Sequence, residues 1–212
     1  MPAVPGPLAP DAKFGNDPPF SRVRGARARG SRRRGGCPPK ADEEMAMVFW
    51  VPILAWVVAL VAAGVALGRG PRPITPYRIA RALLRYVLLI PLGLLGLWGF
   101  TGHVFVPDQV AASIGWAPSP FQLEVGVANL GIGVTAIIAA FRKELGFSMA
   151  VGIMALCFLG GAGIGHLIQI EQTADMAAGN AGPILYTDFI TPIAVIVLVA
   201  LVRILPGGRS EA

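Results

Sequence analysis

Apolar residues in this chain fall into unbroken blocks, not at the three-and-four spacing of an amphipathic helix. Five blocks stand out, at residues 47–67, 83–105, 120–141, 147–169 and 183–204. Each is about 20 residues long, which is what a helix needs to cross a bilayer core. Lipid offers the backbone no hydrogen-bond partner, so a crossing segment must satisfy its own N–H and C=O groups as a helix. The pattern predicts an all-α polytopic membrane helix bundle with five transmembrane helices. Residues 45–212 then form one integral membrane domain, and the lipid bilayer is its partner.

Composition agrees. Hydrophobic residues make up 54% of the chain and charged ones 14%, where soluble domains average about 45–50% and about 25%. No soluble domain of useful size fits. Cys37 lies in a polar stretch and Cys157 in the middle of the fourth block, so a bridge between them is not expected. Cys157 is expected to be a buried thiol that packs as a small hydrophobe.

The first 44 residues differ in kind. "RVRGARARGSRRRGGCPPK" has no apolar periodicity and is expected to be a disordered basic extension. Such a run can meet nucleic acid or anionic headgroups, and its "SRRRGG" lacks the residues that follow the pair in a twin-arginine signal. Charge counting favours a third reading. Nine of the 18 Lys and Arg lie before residue 45, five lie between Arg69 and Arg85, two are Arg142 and Lys143, and two are Arg203 and Arg209. With five spans, the first and third connections and the C-terminus share one side, and their positive charge makes it cytoplasmic. The expectation is a cell-membrane protein with its N-terminus outside and C-terminus cytoplasmic, without a nucleic-acid partner. Translation from Met45 or Met47 would leave the basic extension out of the mature chain.

That orientation gathers the polar residues at the outer side. The second and fourth blocks end near His103 and His166, the only histidines. The third and fifth begin with "PFQLEVGVAN" and "PILYTDFITP", carrying Gln122, Glu124, Asn129 and Asp188. From His103 to Pro120 is 17 residues, as is His166 to Pro183, and an offset of 63 also pairs Gly102 with Gly165 and Gln109 with Gln172. Spans two to five are therefore expected to be a duplicated helical hairpin, with span one peripheral.

Several chemistries fit such a cluster. His103, His166, Glu124 and Asp188 form a donor set suited to a transition metal. His103 and His166, with Gln122, Asn129 and Gln169 around them, could instead bind a haem or a quinone-like cofactor. Gly96 and Gly99 below His103, and Ala162 and Gly163 below His166, leave room for a flat cofactor or a neighbouring helix. A proton or small-solute carrier is a further reading, because ionisable groups in a membrane are often functional. A ligand-free accessory protein is the plainest: glycines pack helices, and an acid after a helix-starting proline or a histidine at a helix end complements the macrodipole. Trp98 and Trp116 read as interface anchors. Whether a reaction is catalysed does not follow from these residues.

"GHVFVPDQVAASIGWAPSPFQLEVGVANL" and "GNAGPILYTDFITPI" resemble the signature of a family of small, uncharacterised prokaryotic multi-pass membrane proteins, over about residues 75–205. The resemblance implies a membrane location and no assigned activity. It singles out His103, Gln122, Glu124, Asn129, His166, Asn180 and Asp188, with several glycines and prolines. A looser architectural likeness to DoxX-type four-helix membrane proteins, some linked to redox chemistry, carries little about function.

Overall fold

The computed structural model describes residues 39–207, with side chains from Ala46 onward. The expected extension lies outside the described residues up to position 38, and residues 39–44 already belong to the first helix. The elements are α1 (Pro39–Arg69), α2 (Pro76–Val87), a π-helical segment (Leu88–Leu94), α3 (Leu95–Phe105), α4 (Pro107–Ile114), α5 (Phe121–Ala140), α6 (Leu145–Thr173), α7 (Ala178–Ala181) and α8 (Pro183–Ile204). Among the described residues there is no strand. Five stretches are long and apolar enough to cross a membrane: Ala46–Arg69, Pro76–Phe105, Phe121–Ala140, Leu145–Thr173 and Ala178–Ile204, here spans 1 to 5.

Local chemistry sets the helix ends. Thr75 caps α2, its hydroxyl accepting from the backbone N–H of Arg78 at 3.3 Å, with Pro76 in the first turn. Gly115 ends α4 with φ +85°, a left-handed conformation that a Cβ would strain. Pro91 lies inside span 2, at the centre of the π segment. Proline has no N–H to donate and its ring collides with the preceding turn, so the hydrogen-bond ladder widens there.

Spans 2 and 3 pack most extensively through α3 and α5, and spans 4 and 5 through α6 and α8. Apolar burial does not by itself drive association in lipid, so close backbone approach matters more. A Cβ on Gly96 would lie 3.0 Å from Cα of Gly133, and one on Gly133 only 2.9 Å from the carbonyl oxygen of Gly93. Leu84, Leu88, Leu92, Ile132, Val195 and Val199 fill a wholly apolar core on the side of the charged connections. At that end Arg81 donates to the carbonyl of Arg142 at 3.1 Å, and the Arg85 guanidinium sits 5.0 Å from the Phe141 ring centroid.

Span 1 is the least buried of the five. It packs on α2 and the π segment but hardly touches α3. Trp56 Nε1 donates to Oγ1 of Thr191 at 3.3 Å, which ties it to span 5. Cys157, expected inside, is exposed on the outer face of α6. On a helix with apolar residues all round, periodicity gives no sign of which side turns inward.

Candidate functional site

The polar residues of the spans collect at the end opposite the charged connections. There a cavity of about 820 Å³ opens between the helices, within the about 300–1,000 Å³ usual for small-molecule sites. Its lining is mostly apolar. Its polar lining includes His103, Trp116, Gln122, Asn129, His166 and Asp188.

Each histidine is pinned through Nδ1 to a side-chain amide oxygen. His103 bonds to Oε1 of Gln122, from span 2 to span 3. His166 bonds to Oδ1 of Asn180 at 2.7 Å, from span 4 to α7, and Asn180 Nδ2 donates to the carbonyl of Asp175 at 2.8 Å. An amide oxygen only accepts, so in each neutral ring Nδ1 carries the proton and Nε2 keeps its lone pair. Nε2 of His166 stands 3.8 Å from Oδ2 of Asp188, with both side chains buried. That separation exceeds a hydrogen bond, and it is an ion pair only when the ring takes a second proton. The Trp116 ring lies 5.9 Å from the His166 ring, tilted by 39°.

The two connections without Lys or Arg lock together over this end. A Cβ on Gly179 would meet the carbonyl oxygen of Ser113 at 2.8 Å, and one on Gly115 would strike the Asp175 carboxylate. Asp175 Oδ1 accepts from the N–H of Ala177 at 3.0 Å, while its Oδ2 is buried without a hydrogen bond.

The sequence-based candidates divide accordingly. His103, Gln122, Asn129, His166 and Asp188 line one cavity. Glu124 is exposed and Gln169 half-buried, and neither lines it. Among the described residues no group of three or more His, Cys, Asp and Glu is placed to hold a metal ion, so the tetrad with Glu124 is not gathered. Three of the small residues near the histidines have their space filled by neighbours. Asn129 lies against Gly99, Gly133 against Gly96, and the Phe189 ring would meet a Cβ on Gly163 at 2.5 Å. At these three positions the close approach is that of a neighbouring side chain or backbone, not of a flat cofactor. Sequence reasoning missed Asn180 as the partner that orients His166, and it read Trp116 only as an interface anchor. Asn180 lies two residues before the Gly182–Pro183 helix start, and the resemblance had singled it out without giving it a role.

The fold and this polar-ended cavity define a five-span helical membrane protein. Residues 49–207 match a family of unknown function, DUF6790, and the chain belongs to it. The match takes in span 1 as well as the four spans behind the sequence resemblance. No curated protein and no solved structure matches the chain.

Proposed function

We propose that this protein binds a dihydroxyaromatic molecule of the quinol class in the cavity between its spans. The observation that carries the reading is the facing pair of His166 Nε2 and Asp188 Oδ2, 3.8 Å apart and buried. Both are acceptors when the ring is neutral and the acid ionised, and the protein puts no donor between them. Both side chains line the cavity, so a hydroxyl of a bound molecule can reach the pair and supply the hydrogen bond that no protein donor makes. A second lone-pair nitrogen, His103 Nε2, belongs to the same cavity and also has no protein partner. Two acceptor positions in a mostly apolar chamber suit an aromatic ring bearing two hydroxyl groups, with Trp116 available to its face.

The absence of a three-ligand group among the described residues weighs against a metal. A conducted ion would meet the apolar core of Leu84, Leu88, Val195 and Val199 beyond the cavity, which weighs against a carrier. The polar end is read as outward-facing in the cell membrane, from the Lys and Arg of the opposite connections. The two hairpins are read as diverged copies with His103 and His166 as counterparts.

The test uses the full chain in lipid nanodiscs, titrated with trimethylhydroquinone and followed by calorimetry. Binding is expected, and His103→Ala and Asp188→Asn are each expected to weaken it about tenfold or more, the loss of one good hydrogen bond. No binding to wild type, or binding to either variant as tight as to wild type, overturns the reading.

A further inference from the structure

Span 1 contributes to the cavity through Met47 and Val48, and to a second hollow through Val51, Leu54, Ala55 and Val58. These six positions form one stripe along the helix at three-and-four spacing. Span 2 answers with Ile90, Leu94, Leu95 and Trp98 in the second hollow, of about 280 Å³. Leu95 and Trp98 border both spaces. The two hollows thus adjoin at Leu95 and Trp98, and taken together they make a cleft along span 1, polar at the His103 end and apolar toward mid-membrane. From Val48 to Val58 it follows span 1 for about 15 Å, at about 1.5 Å per residue.

The cleft has a structural cause. Span 1 lies against α2 and the π segment, and it hardly touches α3. The separation begins where Pro91 interrupts the ladder of span 2, and prolines and π-bulges are the usual places for a helix to change direction. Beyond that point the gap between spans 1 and 2 is open on the lipid side, with Leu54 and Leu94 about half exposed.

We infer that this cleft holds the hydrocarbon chain of the bound amphiphile, whose ring occupies the polar cavity, and that the molecule enters sideways from the bilayer between spans 1 and 2. The inference rests on the quinol reading and adds to it the ligand's linear apolar chain and its route. A ring without a chain would leave the apolar arm of the cleft to lipid. A chain is held along a fixed line, from Trp98 past Leu95 and Ala55 to Val58.

The experiment uses the full chain in nanodiscs with two probes: trimethylhydroquinone, and the same ring carrying a decyl chain that ends in a diazirine. Light-driven crosslinking is mapped by peptide mass spectrometry, and only labelling competed by excess trimethylhydroquinone is counted. Competed labels are expected within residues 51–58 and 90–98. Ala55→Trp, which fills the cleft on a lipid-side face, is expected to cut those labels about tenfold, a change worth about 1.4 kcal/mol, while the chainless ring still binds. Competed labels spread over the lipid-facing sides of spans 3 to 5, for instance at Val127, Ile153 or Val197, overturn the cleft and leave the ring site standing. Unchanged labelling in Ala55→Trp also overturns it. If the chainless ring does not bind wild type and no label is competed, the quinol reading fails and the inference falls with it.

Discussion

Nε2 of His166 and Oδ2 of Asp188 face each other at 3.8 Å between spans 4 and 5, buried and with no protein donor between them. The imidazole is held in that attitude from behind, by the 2.7 Å bond from Nδ1 to Asn180. A ring fixed at one nitrogen and left open at the other is how proteins orient a histidine for a ligand. The carboxylate opposite makes no hydrogen bond of its own. A hydroxyl donating into this pair would make a hydrogen bond that the protein itself does not supply.

Asp188→Asn should therefore separate stability from binding. The amide carries no charge to bury, so the ligand-free protein should gain on the order of 1–2 kcal/mol. Binding of trimethylhydroquinone should fall in the same variant. Unfolding in mixed detergent micelles measures the first, and calorimetry the second. A loss of stability together with the loss of binding would mean that Asp188 is a structural group.

His166 and Asn180 should behave as one unit. Asn180→Ala leaves the buried Nδ1 of His166 and the carbonyl of Asp175 without their partner, at a cost of about 1–3 kcal/mol. His166→Ala removes the same bond from the other side. In the double variant the two losses should fall short of their sum by about 0.5–3 kcal/mol, the coupling of residues in direct contact. Unfolding of the four proteins of the cycle gives the number, and additive losses would contradict the bond.

Gly131 and Gly133 are two residues apart on α5 and should respond oppositely to alanine. A Cβ on Gly133 meets the backbone of Gly93 and Leu97 at 2.9–3.0 Å, whereas one on Gly131 meets nothing within 4 Å. Gly133→Ala should cost about 1–3 kcal/mol by overpacking the crossing of spans 2 and 3. Gly131→Ala should be neutral or up to about 1 kcal/mol stabilising, through helix propensity alone. The pair needs only parallel unfolding curves.

Gly115→Ala should loosen the two connections that lock over the cavity. Its φ of +85° disfavours a side chain by about 1–2 kcal/mol, and its Cβ would strike the Asp175 carboxylate. Amide hydrogen exchange should rise together over residues 106–119 and 174–182, while the core around Leu88 and Val195 stays protected. Faster exchange confined to one connection would show that they do not act as a unit.

Orientation in the bilayer can be read with single cysteines in a background that carries Cys37→Ser and Cys157→Ser. Ala117→Cys and Met176→Cys lie in the connections without Lys or Arg and are exposed, as Arg72→Cys is at the opposite end. In whole cells an impermeant thiol reagent should label the first two and spare the third. The reverse pattern would invert the topology.

The class of protein and the positions of the spans were legible in the order of residues alone. Blocks of about 20 apolar residues admit few structures in lipid, because every backbone polar group must be satisfied within the segment. It also placed His103, Gln122, Asn129, His166 and Asp188 at one end of the bundle, because span length and alternating direction fix depth. What it did not carry was rotation about each helix axis. Glu124 and Asp188 occupy similar places after a helix-starting proline, yet one is exposed and the other buried against His166. Cys157 turned outward for the same reason. In an apolar helix nearly every residue is acceptable to lipid, so the side that faces inward is chosen by contact: glycine against backbone at Gly96 and Gly133, Phe189 filling Gly163, Asn180 reaching back to His166. Those contacts join residues distant in the chain, and only the tertiary structure decides them.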